Sequence, residues 1–347
     1  MPLTAENAPT EPPGGQNAPV GLSEALEDWV SRVSDGAEFI LDGPDQIPAL
    51  WGVDDEILWA KGEAMMICGP PGAGKTTLAG QLVRCRLGID DNVLGYHLEC
   101  GNRRVLYLAA DRPAQTRRSL ERQFCEDDRD VLRDKLRVWP GPPPEDFAKS
   151  PETLRQMADA FDADTVVIDS LKDVALGLSD DESGAGYNRA RQIALVHGIE
   201  LIELHHQVKR GANGGKPTSL ADVYGSTWLT SGAGTVHLLF GDPGDPVVQY
   251  TNLKPSMATV GPFSVVHDES GRSRVYQQVD LVRLASATSH GITAADAAKA
   301  IDESSHKPKA SDVEKARRRL EKLVETGQLA RIDGAPVRYT QMFRPTA

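Results

Sequence analysis

Ala64-Met65-Met66-Ile67-Cys68-Gly69-Pro70-Pro71-Gly72-Ala73-Gly74-Lys75-Thr76-Thr77-Leu78 is the stretch that decides the fold. Its first five residues are an apolar run of strand length, and Thr76 to Cys85 continues as a helix. Between them Gly69, Gly72 and Gly74 let backbone N–H groups approach an anion closely, above the positive end of the helix dipole. The whole eight-residue loop, Gly69, Pro70, Pro71, Gly72, Ala73, Gly74, Lys75 and Thr76, has the spacing that holds the phosphates of ATP with Mg²⁺. In that reading Lys75 reaches the β and γ phosphates, the Thr76 hydroxyl ligates Mg²⁺, and Thr77 contacts the α phosphate.

Outward from this loop, Val105 to Ala110, Thr165 to Ile168 and Leu201 to Leu204 are further apolar runs. Helical segments around Gln115 to Phe124, Pro151 to Phe161 and Tyr187 to Val196 alternate with them, which implies an α/β fold with a mainly parallel sheet. Shorter segments at Gly234 to Phe240, Val247 to Leu253 and Gly261 to Val266 read as additional strands, the later ones antiparallel.

In such sheets ligands bind beyond the carboxyl ends of the strands, so polar residues there are the candidates for chemistry. Asp169 closes one apolar run and is placed to hold Mg²⁺ with Thr76. Asp111 closes another; it either activates the attacking water or caps the helix that begins near Pro113. A fourth run ends in His205-His206-Gln207, where His206 either senses the γ phosphate or packs. Adjacent strand residues face opposite sides, so the two histidines do not ligate one metal together.

These residues carry a family resemblance. GPPGAGKTT, VLYLAAD, TVVIDSLKD, LIELHHQVKR, GSTWLTSGAG and NLKPS, in this order from about Gly62 to Val279, resemble the RecA-type hexameric ATPases of the RepA and DnaB replicative helicase group. The resemblance implies a RecA-like P-loop core of five strands extended by antiparallel ones. It further implies ATP bound between subunits of a homo-oligomeric, hexameric ring and single-stranded DNA in the central channel. Position by position, Lys75 and Thr76 match the P-loop pair, Asp169 the second metal carboxylate and His206 the phosphate sensor. Asp111 stands where the family has a glutamate. Tyr224 occupies the place of the arginine that reaches a neighbour's ATP in RepA-like members; in the DnaB-like arrangement Lys254 takes the lysine position and Ser256 the arginine position. Lys254 is therefore the trans-acting candidate, and Lys209, Arg210 and Lys216, in a glycine-rich loop, correspond to the channel loop that grips DNA.

Towards the C-terminus, Thr293 to Asp296 precedes a helix, and Ser311-Asp312-Val313-Glu314 reads as a capping box opening a second one that Gly327 stops. From His306 to Arg331 eight lysines and arginines oppose four acids, in a chain whose net charge is -12. Contact with nucleic acid must therefore come from local basic surfaces such as this one. Two helices and a hairpin around Asp333-Gly334 resemble a winged helix-turn-helix whose second helix, with Arg317, Arg318 and Arg319, enters duplex DNA.

The expected organisation is a disordered tail at 1–20, an N-terminal extension at 21–62 that opens with an amphipathic helix from Leu22, a RecA-like ATPase domain at 63–285 and a winged-helix-like domain at 286–347. The tail carries five prolines and no aromatic residue, too little apolar surface to offset ordering entropy. Without a long apolar run the chain is expected in the cytoplasm, away from membranes, with replication proteins as partners. Four cysteines without a CxxC pair argue against structural zinc.

Overall fold

In the computed structural model of the chain, residues 33–44, 46–207, 217, 219–241, 245, 247–276, 281–288, 290–301, 308 and 310–341 are described. The chain divides into two units, Met1–Pro48 and Ala49–Ala347. In the first, a short helix α1 (Gly36–Leu41) starts at Asp35, whose carboxylate accepts hydrogen bonds from the N–H of Ala37 and Glu38. None of its residues is buried, and Phe39, Ile40 and Leu41 are exposed. The helix expected from Leu22 and the tail expected at 1–20 lie outside the described residues.

The second unit opens with an antiparallel hairpin of β1 (Ala49–Val53) and β2 (Glu56–Ala60), followed by β3 (Met65–Cys68), helix α2 (Lys75–Arg86) and a small hairpin of β4 (Asn92–Val93) and β5 (Tyr96–His97). Then come β6 (Arg104–Ala109), α3 (Pro113–Glu121), α4 (Arg129–Lys135), β7 (Leu136–Pro140), α5 (Glu152–Ala160), β8 (Ala163–Asp169), α6 (Leu171–Val174), α7 (Asp181–Val196) and β9 (Glu200–His205). Helix α8 (Thr227–Gly232) leads into β10 (Thr235–Phe240), β11 (Val247–Lys254), β12 (Phe263–His267) and β13 (Ser273–Tyr276).

The central sheet has nine strands in the order β13-β12-β11-β10-β3-β9-β8-β6-β7. From β10 to β7 all neighbours are parallel; β11, β12 and β13 continue antiparallel. The parallel block has six strands where the resemblance implied five, because β7 adds to its edge beside β6. Both faces of the block are covered, which is why its inner strands read as mostly apolar runs. On one face Ile67, Tyr107, Val167 and Ile202 pack with Leu78 and Leu82 of α2. On the other, Met66, Leu106, Ile168 and Leu201 pack with Leu154 of α5 and Tyr187, Ala190 and Ala194 of α7. Helix α2 is buried nearly all round, and its Arg84 ends on Asp90 at 2.7 Å and Asp128 at 2.9 Å.

A third core gathers Leu281 and Ala285 of α9 (Leu281–Ala287), Ala297 and Ala298 of α10 (Ala294–Ile301), Ala316 and Leu320 of α11 (Ala310–Glu325), and Leu329 and Tyr339 of the hairpin β14 (Leu329–Ile332) and β15 (Arg338–Gln341). Helix α10 begins in a reciprocal box: Asp296 N–H donates to the Thr293 hydroxyl, and Thr293 N–H donates to the Asp296 carboxylate. Helix α11 starts at Ala310, so Ser311 and Asp312 lie within its first turn. Its end is the expected one, with Gly327 at φ +70° and Gln328 N–H donating to Leu323 O.

Candidate functional site

The carboxyl ends of β3, β9, β8 and β6 are neighbours in the sheet, and each carries one of the residues singled out above. After β3 the loop rises into α2 through Gly74, the N-cap at φ +86°, with no side-chain cap on the helix. The N–H groups of that first turn have no intrahelical partner, and anions satisfy such groups best. Glycine is required sterically at two places. A Cβ on Gly69 would stand 2.1 Å from Leu239 O, and one on Gly74 would stand 2.1 Å from the His267 ring. Lys75 is 9% exposed and its ammonium donates to Gly69 O and Pro70 O, both at 2.9 Å. Burial pushes its pKa down to about 8, against the pull of Asp169. An ammonium desolvated in this way gains most from a phosphate placed beside it.

Asp169, at the end of β8, is 8% exposed. Its Oδ2 accepts from the Thr76 hydroxyl at 3.0 Å and from the Tyr107 hydroxyl at 3.0 Å. Burial raises its pKa, while these two donors and Lys75 hold it down. Among the described residues no three His, Cys, Asp or Glu side chains are placed to share a metal ion. One hydroxyl and one carboxylate suit Mg²⁺, which keeps water and takes its other ligands from substrate phosphates. The glycine loop, the uncapped helix and the Thr76–Asp169 pair therefore fit a nucleotide with Mg²⁺, which would supply the charge that holds and polarises the phosphates.

Asp111 follows β6, and its N–H donates to Asp169 O at 3.1 Å, which fixes the two carboxylates on one edge. The N-cap of α3 is Arg112, in the left-handed region at φ 44°, with no side-chain cap, so Asp111 is not the cap of that helix. Its carboxylate faces Lys172 at 3.5 Å and Arg112 at 3.6 Å. At the end of β9, the ring Nε2 of His206 is buried without a hydrogen-bond partner among the described residues. Burial and the charges of Lys75 and Lys172 push the pKa of His206 down to about 4, so it is neutral at pH 7. His206 O accepts from Tyr224 N–H at 3.0 Å, the Nε2 of His205 lies 2.6 Å from Tyr224 O, and Gln207 bridges Val223.

A model of the AAA domain family matches residues 31–212, just over half of the chain. The chain belongs to this family. It is an ATP-binding P-loop ATPase with a large, mostly parallel α/β core. A KaiC-like protein from the hyperthermophilic archaeon Pyrococcus horikoshii is similar at 15% identity with a TM-score of 0.44, over 63% of this chain and 91% of that one. No match is found among curated proteins. Among the described residues no helix is long and apolar enough to cross a membrane.

The remaining candidates stand outside this edge of the AAA-domain chain. Lys254, at the end of β11, donates to Thr230 O, Ser231 O and Ala233 O at 3.1, 2.9 and 2.5 Å, so its ammonium caps the carboxyl end of α8. A role across an interface would have to break those bonds. Lys209, Arg210 and Lys216 lie outside the described residues. On α11, Arg317 and Arg318 both pair with Glu314, at 2.7 and 3.2 Å, while Arg319 hydrogen-bonds the Tyr276 hydroxyl and lies over its ring.

Three residues here escape a reading of the sequence. Tyr107 sits in an apolar run and reads as core. His267 is near the sequence end of the sheet, yet its Nε2 lies 3.3 Å from Ala73 O of the glycine loop and its Nδ1 2.8 Å from the Ser273 hydroxyl. Lys172 looks like a solvated lysine of SLKD; only the adjacency of β6 and β8 brings it to Asp111.

Proposed function

We propose that this ATPase acts on DNA, as a RepA/DnaB-like replicative helicase that hydrolyses ATP at subunit interfaces of a homo-hexameric ring while moving on single-stranded DNA. In this reading Lys75 and the loop Gly69 to Thr77 hold the triphosphate, and Thr76 and Asp169 hold Mg²⁺. Asp111 takes a proton from the attacking water, and His206 reports the state of the γ phosphate.

The observation that carries the proposal is the continuity of β9. Its last residue, His205, and the next, His206, stand at the phosphate edge and are tied to Tyr224 by the His205 ring and the His206 carbonyl, while Gln207 bridges Val223. The segment closed at its base by this bridge contains Lys209, Arg210 and Lys216. A shift of the strand end on loss of the γ phosphate is passed directly to a basic, glycine-rich loop, the kind of element that grips a nucleic-acid backbone. The C-terminal helices and hairpin, read as a winged helix, add a duplex-binding surface through α11.

A second reading is an ATP-switched DNA-binding initiator or regulator without motor activity. It is favoured by the engagement of Lys254 inside its own subunit and by Tyr224 where an arginine would act. ATPase rates with and without single-stranded DNA, taken with the solution mass, separate the two. A ring whose turnover rises severalfold on single-stranded DNA supports the motor. Turnover indifferent to single strands, together with site-specific duplex binding, rejects the motor in favour of the switch.

A further inference from the structure

Phosphoryl transfer from ATP to water builds negative charge on the γ-phosphoryl oxygens, and cations placed there are worth large factors in rate. Both sequence positions where a partner's arginine would be looked for are filled by other residues, Tyr224 and Ser256, and Lys254 is tied to three carbonyls. One cation from within the same chain does stand at the phosphate edge. Lys172 lies in the single helical turn after Asp169, and β8 and β6 are adjacent in register with Ala109 opposite Asp169. Its ammonium therefore meets Asp111 Oδ2 at 3.5 Å, while its side chain stays 41% exposed. It is close enough to both Lys75 and His206 to disfavour their protonated forms, so its charge is felt at the phosphate loop and at the strand beyond it.

The charges around Asp111 do not balance. Two carboxylates, Asp111 and Asp169, stand against three cations, Lys172 and Arg112 beside Asp111 and Lys75 at the loop. A half-exposed pair in this position is weak and easily exchanged. A phosphate with two or more negative charges competes well for the ammonium.

We propose that Lys172 is the cis-acting catalytic cation of this ATPase: it leaves Asp111 for the γ phosphate of bound ATP, and the released carboxylate becomes the base for the attacking water. The inference rests on the reading of the edge formed by Asp111 and His206 as the γ-phosphate side. In the step it serves, the water oxygen forms a bond to the γ phosphorus while the bond from that phosphorus to the β–γ bridging oxygen breaks. The electron pair leaves with ADP, a water proton passes to Asp111 and then to solvent, and Lys172 keeps its proton throughout.

Binding of fluorescent ATPγS and ADP to the full-length protein, with Lys172→Met and Lys172→Arg beside the wild type, tests this. A cation that touches only the γ phosphate distinguishes triphosphate from diphosphate. Lys172→Met should weaken ATPγS binding about 10- to 100-fold, the range of a hydrogen bond to a charged group. ADP binding should be unchanged, turnover should fall at least as far, and Lys172→Arg should restore much of both. Unchanged preference of Lys172→Met for triphosphate, or equal loss of ATPγS and ADP, would overturn the proposal and leave Lys172 as a partner of Asp111 only. Wild-type protein that binds neither nucleotide, indistinguishable from Lys75→Ala, would overturn the nucleotide site itself and Lys172 with it.

Discussion

Asp169 shows how much of a site can depend on a side chain the sequence presents as core. A carboxylate 8% exposed persists as an anion only where donors and cations compensate its lost hydration. Thr76 and Tyr107 both donate to the same oxygen, Oδ2, and the second donor comes from the middle of β6. Tyr107→Phe keeps the ring in the core and removes one hydrogen bond, worth about 1 kcal/mol, so the affinity for Mg²⁺ with nucleotide should fall about fivefold. Titration calorimetry with ATPγS in the presence of Mg²⁺ measures it; unchanged affinity would reduce Tyr107 to packing alone. The residues of the phosphate loop were legible in the sequence because their chemistry is local, a run of glycines followed by Lys75 and Thr76. Tyr107, Lys172 and His267 were not, because their partners lie 62, 61 and 194 residues away and meet them only through the order of the strands.

Strand legibility followed burial. Strands β3, β6, β8, β9 and β10 are covered on both faces, so each appears as a mostly apolar run, broken by Glu203 in β9 and by His237 in β10. The edge strand β7 alternates half-buried with exposed positions and holds Arg137 and Pro140, and no such run marks it. The hairpin of β1 and β2 turns at Asp54 and Asp55 with register shifts, a turn without the usual Asn-Gly or Asp-Gly signal, although Leu50, Trp51, Leu58 and Trp59 are all buried. The most deeply buried carboxylate of the sheet, Glu203 of β9 at 0% exposed, accepts from Arg191 of α7 at 2.7 and 2.8 Å and from the Tyr187 hydroxyl at 2.8 Å. These bonds pin α7 to the strand that ends at His205, next to His206. Arg191→Met leaves the carboxylate without its cation and should destabilise the protein by about 3–5 kcal/mol in denaturant unfolding. Arg191→Met combined with Glu203→Leu should recover most of that loss, since two apolar side chains strand no charge. A double variant as unstable as the single one would show that packing volume, not the stranded charge, sets the cost.

At the scale of the molecule, the histidines link stability to pH. His205 and His237 are fully buried, and burial pushes the pKa of each down to about 4. His237 is held between Leu58 O and the Tyr250 hydroxyl, joining the first hairpin to β10 and β11. In the unfolded chain both rings titrate near about 6.5. Their folded values are lower, so between about pH 6.5 and 4 the unfolded state binds more protons and stability falls as pH falls. That contribution is complete above about pH 6.5 and is at most on the order of 3 kcal/mol for each ring. Carboxylates held low against their burial, Asp90 by Arg84 and Arg272 and Asp128 by the Cys125 N–H and Arg84, add their loss only below their ordinary range. The melting temperature should therefore be flat between about pH 7 and 8 and drop steadily from about pH 6.5 to 4.5. His237→Gln, which keeps an amide to bridge Leu58 O and Tyr250, should be less stable at pH 7 and show a shallower acid slope; an unchanged slope would move the origin of the acid sensitivity away from this ring.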